Sequence, residues 1–446
     1  MGIMVWLELL VVIGAIVLGV RMGGIGLGIW GVVGVGVLVF GFGLAPGSPP
    51  GSAMLIILAV ITAAAAMQAA GGIDFLVQVA SKLIKANPKA INYVAPLVSF
   101  VFTVGAGTSN IFYPLLPVIY QTAYDNNIRP ERPLATSTVA NAIGISCSPV
   151  SAAMAAMLTL VAVPKYGFNL GKILIITIPA SLVAIFVMAF VQNFIGKPLS
   201  DDPVYQERLK AGLVPPPKSE RAADEPEPAL PKGAAASAYI FLVGVMFVVL
   251  SAFPMFQRMV PGTDGQPVAV NTTVVIQITM FVVALLIVLV AKVDAATIPG
   301  QQIFSAGIVA ILALFGIAWL ADTFVAAWNT EIVALLSSWV TAIPLLFALA
   351  LFILAALTTS QSATTRTLVP IGLAILPVAS VVAMWMALSG VLFLPANGTQ
   401  LAAVAVDETG STKIGKAVVN HSFMIPLLIA TVVSIGVGML IATLVF

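Results

Sequence analysis

Thr103 to Pro117 reads TVGAGTSNIFYPLLP and interrupts a run that is otherwise apolar enough for a membrane helix. It holds two glycines, a Thr-Ser-Asn string and two prolines. Gly costs about 1 kcal/mol against Ala inside a helix and Pro removes a backbone donor, so a continuous helix is disfavoured here. Backbone outside a helix is tolerated at membrane depth only where protein buries it or where it lines a watery cavity. Leu357 to Pro370, LTTSQSATTRTLVP, repeats the pattern in the other half of the chain. Both stretches must therefore be kept out of lipid. Polar, broken segments in corresponding halves are the sequence sign of a binding site between two membrane repeats.

The membrane setting follows from composition. Of 446 residues, 60% are apolar and 8% charged, against roughly 25% charged in a soluble domain. The expected fold is an all-α polytopic membrane protein. A net charge of +2 and the lack of a basic tract argue against a nucleic-acid partner. One cysteine, Cys147, excludes an internal disulfide and any multi-cysteine metal site. With His421 as the one histidine, and no paired aspartates or H-E-x-x-H string at depth, an enzyme is not expected. The apolar N-terminus has no basic leader segment and carries Glu8, so it reads as a retained first helix.

Residues 197–236 are rich in charge and proline and read as a disordered or loosely ordered cytoplasmic loop. They separate a first transmembrane half, 1–196, from a second, 237–446. The first half contains three early spans, of which Gly24–Gly43 has a small, glycine-lined face suited to close packing. An amphipathic interfacial segment follows at 73–89. Next come a re-entrant hairpin at 91–124, a helix at 134–163 broken at Ser146–Pro149, and a span at 171–195. The second half repeats the plan: spans at 237–253, 271–291 and 302–320, then a mixed segment at 324–340 with Trp328 and Trp339 as interface anchors. A hairpin at 344–386, a helix at 387–406 broken at Pro395–Thr399, and a last span at 418–446 complete it.

Placing Met1 outside puts fifteen of the nineteen Lys and Arg residues in inside loops, as the positive-inside rule requires. Both termini are then periplasmic. The first hairpin enters from the inside and the second from the outside, so the halves are expected to be inverted repeats.

The candidate ligand residues sit at the tips and breaks. Gly107, Thr108, Ser109 and Asn110 form the first tip, and Ser360, Gln361, Ser362, Thr364, Thr365 and Arg366 the second. Asn141 and Ser148 come from one broken helix, and Asn397, Gly398 and Thr399 from the other. Hydroxyls, amides and glycine-exposed N–H groups bind anions and cations alike. A single Ser at depth more often bonds a helix carbonyl, but two polar clusters in opposed positions point to a ligand. Arg366 is the one basic residue at the tips, and an intramembrane guanidinium marks a substrate path or a structural ion pair with Glu8 or Asp74. Glu8 and Asp74 are candidate proton carriers, and His421 is a candidate helix cap or interfacial residue.

Four strings carry a family resemblance: LGVRMGGIGLGIWGVVGVGVL (18–38), NNIRPERPLATSTVANAIGISCSPVSAA (126–153), SQSATTRTLVPIGLAI (360–375) and FLPANGTQLAAVAVDETGSTKIGKAVVNHSF (393–423). They resemble the Dcu family of anaerobic C4-dicarboxylate transporters over essentially the whole chain. The resemblance implies a bacterial inner-membrane carrier that exchanges or takes up fumarate, succinate, malate or aspartate. It also implies hairpin-bearing inverted repeats, an elevator motion and a homodimer in lipid. A related organic-anion or acidic amino-acid transporter is the alternative, with an ion channel behind it. The first tip departs from the family's usual GTGHVVY, since Ser109 and Asn110 replace a glycine and a histidine. No titratable group is left at this tip. Thr108, Ser109 and Asn110 are therefore candidate Na⁺ ligands, with Na⁺ or H⁺ as the coupling ion and no other cofactor.

Overall fold

A computed structural model describes residues 3–446 except 23–24, 50, 164, 215–228, 262–265, 395–396 and 415–420. The regular structure of the described residues is helical apart from one short antiparallel ribbon, β1 (Met259–Pro261) with β2 (Pro267–Ala269). Seven helices are long and apolar enough to cross a membrane, and a pair bent by 75° adds an eighth. The chain is a multi-pass membrane protein.

The first half opens with α1 (Ile3–Met22), α2 (Gly26–Gly36, prolonged by a π-helical turn to Gly41) and α3 (Gly51–Ala69). Helix α4 (Gly72–Ala86) leaves α3 at the 75° bend. It buries Leu76, Ala80 and Ile84, so the amphipathic segment is held by protein along one face. Helices α5 (Ile91–Ala106) and α6 (Leu115–Asp125) are the limbs of the first hairpin. Helix α7 (Glu131–Cys147) and the shorter α8 (Ala152–Val161) are the two pieces of the first broken helix, and α9 (Leu170–Gln192) follows.

The second half runs through α11 (Ala234–Ser251), α12 (Thr272–Ala291) and α13 (Gln302–Ala342). Helix α13 joins two segments expected to be separate, with its kink at Trp328. The indole of Trp328 donates to the carboxylate of Glu8, which is buried, so Trp328 anchors α13 to α1. The side chain of Trp339 lies outside the described residues. Helices α14 (Leu345–Thr358) and α15 (Gln361–Ile375) make the second hairpin. Its return limb ends eleven residues before the expected Met386. Leu376 is extended (φ −126°, ψ 153°), as a residue before proline prefers, and Pro377 starts a new helix. The second broken helix is accordingly α16 (Val378–Met384, continued as a 3-10 turn to Leu392) with α17 (Gly398–Val406). It begins at 378 instead of 387. The last helix is α18 (Met424–Val445), and it packs along α9.

Two packing features correct or sharpen the sequence reading. The glycine-lined face of α2 lies directly on α13. A Cβ built on Gly316 would come 1.9 Å from the carbonyl oxygen of Gly28, and one on Gly31 would come 2.3 Å from the carbonyl carbon of Gly316. No side chain fits between these backbones. The start of the 197–236 loop is folded, contrary to its composition. Asp202 caps α10 (Pro203–Lys210), accepting from the N–H groups of Val204 (2.9 Å) and Tyr205 (3.3 Å). Leu199, Tyr205 and Val214 are buried against the α6 side of the protein. Arg129 bonds Asp202 and, at 2.6 Å, Glu131, which ties this strap to the base of α7. Residues 215–228 of the loop lie outside the described residues.

Candidate functional site

The first tip exists because α5 cannot continue past Ala106. Gly107 takes a left-handed conformation (φ +71°), which a side chain disfavours. A Cβ there would sit 2.8 Å from Val150 Cγ2 and 2.9 Å from the Val150 carbonyl oxygen, so the glycine also lets the tip rest on the α7–α8 break. Thr108 follows, then a 3-10 turn at Ser109–Phe112. The side chain of Asn110 lies outside the described residues. The second tip turns at Thr359, which is left-handed without being glycine (φ +50°). Such strain is held only where surroundings impose it. Here the Thr358 and Thr364 hydroxyls pair at 3.0 Å, and the Thr364 hydroxyl donates to the Ser360 carbonyl at 2.9 Å. The Ser360 hydroxyl caps α15 by accepting from Ala363 N–H at 3.3 Å.

The breaks are capped too. Ser151 starts α8 by accepting from Met154 N–H at 3.0 Å, and its own hydroxyl donates to the Ile145 carbonyl at 2.7 Å. Asn397 starts α17 by accepting from Thr399 N–H at 3.1 Å, with Gln400 completing a reciprocal capping box. Gln400 also donates to the Leu392 carbonyl at 2.8 Å, which stitches the two pieces of that helix together.

These four features border one open cavity of about 270 Å³. Gly107, Thr108 and Ser109 line it from the first tip, and Thr359, Ser360, Gln361 and Ser362 from the second. Asn141, Ala142 and Ile145 of α7, Ala152 and Ala153 of α8, Val391, Leu392, Asn397 and Thr399 complete the wall. The N-termini of three helices, α8, α15 and α17, border it. Helix N-termini carry free N–H groups and about half a positive charge each, so this wall is electropositive without a cationic side chain. No acidic side chain is among the described lining residues. Two cross-links hold the parts in register. Thr103 donates to Asn141 at 2.7 Å, and Gln361 donates to the Ala142 carbonyl at 2.9 Å.

Several expected ligand residues lie elsewhere. Ser148 is fully buried and accepts from Val150 N–H at 3.3 Å, shaping the break. Thr364 and Thr365 are turned into the protein, and Thr365 accepts from the Trp385 indole at 2.8 Å. Gly398 packs on the Tyr113 hydroxyl, where a Cβ would come within 2.5 Å. Arg366 faces a neighbouring cavity and forms no ion pair with Glu8 or Asp74. His421 is buried; its carbonyl accepts from the Met424 N–H that opens α18 at 3.0 Å, and its ring bonds the Phe393 carbonyl at 2.9 Å, next to the second break. Sequence reasoning missed Asp322, a carboxylate within the apolar run of α13, whose signal was its isolation in that run. It also missed the cap at Ser151, legible as a serine just beyond a Ser-Pro break.

A solved structure shares the fold. Neisseria gonorrhoeae MtrF, described as one of a class of antimetabolite efflux pumps, superposes with a TM-score of 0.53 at 13% identity, over 88% of this chain and 80% of that one. That likeness concerns the fold. The family model described as "anaerobic C4-dicarboxylate membrane transporter" matches residues 4–446. The chain belongs to the DcuA/DcuB family. The C4-dicarboxylate transporter DcuA of Wolinella succinogenes is 39% identical over 437 residues, 98% of each chain. DcuA of Escherichia coli K12 is 40% identical over 95% of each chain. The anaerobic C4-dicarboxylate transporter DcuB of Escherichia coli O6:H1 is 37% identical over 98% of each. The DcuA/DcuB family resemblance drawn from the four strings is thus the family of the whole chain.

Proposed function

We propose that this chain is a secondary active transporter of C4-dicarboxylates in the bacterial inner membrane, with the tip cavity as its substrate site. The observation that carries the reading is the convergence of both tips and both helix breaks on one cavity bordered by three helix N-termini. A dianion is matched by N–H groups and helix dipoles where no acidic side chain opposes it. Hydroxyls and amides of Thr108, Ser109, Asn141, Ser360, Ser362, Asn397 and Thr399 would orient the two carboxylates. The names of the DcuA and DcuB relatives support the substrate class.

The finer reading is that the halves are inverted repeats with both termini periplasmic. The tips and breaks, moving together past the early helices of each half, would carry substrate by an elevator motion in a homodimer. Transport proceeds by exchange or with a coupling cation, Na⁺ at the Thr108-Ser109-Asn110 tip or H⁺. The test is counterflow of labelled succinate in proteoliposomes loaded with fumarate, with Na⁺, H⁺ and counter-substrate gradients imposed one at a time. Saturable counterflow competed by fumarate, malate and aspartate is expected. Conductive flux without counterflow, or competition only by unrelated anions, would refute the reading. Uptake unchanged when K⁺ or choline replaces Na⁺ would remove the sodium assignment.

A further inference from the structure

Arg366 is only 6% exposed, and its Nε and Nη2 are buried with no hydrogen-bond partner. It makes no ion pair among the described residues. A guanidinium in this state is costly unless a counter-charge reaches it. It faces a cavity of about 230 Å³ whose walls include Ser48, Thr159, Asp322 and Pro370. Asp322 is engaged otherwise: its carboxylate accepts from Ser48 N–H at 2.7 Å. The loop that presents Ser48 is held to α13 by the Trp319 indole, which donates to the Gly47 carbonyl at 2.7 Å.

The position of this cavity matters as much as its charge. Helices α8 and α15 run from the tip cavity to it. Ala152 and Ala153 of α8 line the first cavity, and Thr159 and Leu160 the second. On α15, Ser362 lines the first and Arg366 the second. Four residues are just over one helical turn, so Ser362 and Arg366 share a face about 6 Å apart along the axis.

We infer that the Arg366 cavity is a second carboxylate-binding station, adjacent to the tip cavity on the substrate's path. The inference rests on reading the tip cavity as the dicarboxylate site. The Arg366 fork matches a carboxylate in shape and supplies charge-assisted hydrogen bonds. Asp322 on the same wall repels a dianion, so the grip of Arg366 there is weaker than the guanidinium alone would give.

The test uses the full chain in proteoliposomes with Cys147→Ser, so that Thr159→Cys supplies the one thiol. A neutral maleimide reports access to the cavity. Succinate is expected to slow the labelling, Arg366→Gln to lose that protection, and Arg366→Lys to retain part of it. Protection by acetate supports a grip on a single carboxylate, whereas chloride protecting as well as succinate overturns the carboxylate assignment. Protection of Ser109→Cys at the tip should survive Arg366→Gln, and joint loss at both positions overturns a separate station. Labelling of Thr159→Cys that ignores succinate, in protein that still performs succinate counterflow, overturns this inference alone. The parent comparison decides even where an Arg366 variant does not fold. A parent lacking counterflow overturns the underlying reading and this one with it.

Discussion

Asn397→Asp separates the architecture of the tip cavity from its chemistry. Asn397 is both the cap of α17 and part of the cavity wall. Asp caps as well as Asn, so the helix start should be preserved and stability should change by less than about 0.5 kcal/mol. The positive end of α17 favours the ionised carboxylate. The charge now stands in a cavity of about 270 Å³, equivalent to a sphere of about 4 Å radius. A substrate carboxylate inside is then about 4 to 8 Å away. At an effective dielectric constant of about 20, that repulsion is roughly 2 to 4 kcal/mol per carboxylate. Each 1.4 kcal/mol is tenfold, so succinate affinity should fall by roughly 30- to 1,000-fold. The assay pairs thermal melting in detergent with the KM for counterflow. Asn397→Ala is the contrasting variant, since it loses the cap at about 0.5–2 kcal/mol and adds no charge. An Asn397→Asp protein with native melting and native KM would refute the placement of an anion in this cavity.

Gly107→Ala should lower the melting temperature and abolish counterflow together. The left-handed backbone costs about 1–2 kcal/mol with a side chain, and the new Cβ meets the Val150 carbonyl at 2.9 Å, so the tip must move. Gly316→Leu should prevent stable folding, visible as loss of the monodisperse peak on size exclusion, because α2 and α13 touch through backbone. The linker strap should be acid-sensitive. Burial works against the charge of Asp202, but the hydrogen bond and charge of Arg129 hold its carboxyl below the ordinary 3.8. A depressed carboxyl contributes stability that is complete above the unfolded value and lost as pH falls through the folded one. Hydrogen exchange across 199–214 should therefore stay slow above pH about 4 and rise below it. Asp202→Asn should raise it at neutral pH by removing one partner of a buried pair.

The positions of the tips and breaks were legible because Gly, Pro, Ser and Asn have local meanings: Gly107 permits a left-handed turn, and Ser360 and Asn397 cap helices. What the string could not show was how the helical screw sorts residues once a helix starts. Ser360 to Arg366 reads as one polar cluster. With Ser360 as the cap, Gln361 and Ser362 face the tip cavity, Thr364 and Thr365 turn into the core, and Arg366 lies one turn further on. Partners distant in sequence were equally hidden, such as Trp385 on Thr365 or Trp328 on Glu8. The strap at 199–214 was a different miss. Asp202-Pro203 is a helix start in plain sight, but composition averaged over the whole loop concealed it. The glycine-lined face of α2 announced close packing, and only the fold says that α13 is what it packs on.

That glycine contact sets what can slide. Where side chains interdigitate, one helix can shift past another by exchanging rotamers. Gly28 and Gly316 have none to exchange, Gly28 also rests on the backbone of Leu312, and the Leu320 side chain of α13 packs on Gly34 beside the contact. Moving α2 along α13 by one turn would drive a leucine side chain into backbone. The two helices form a single spar, and relative movement elsewhere in the protein must be taken up along the other face of α13, where α15 passes with Arg366.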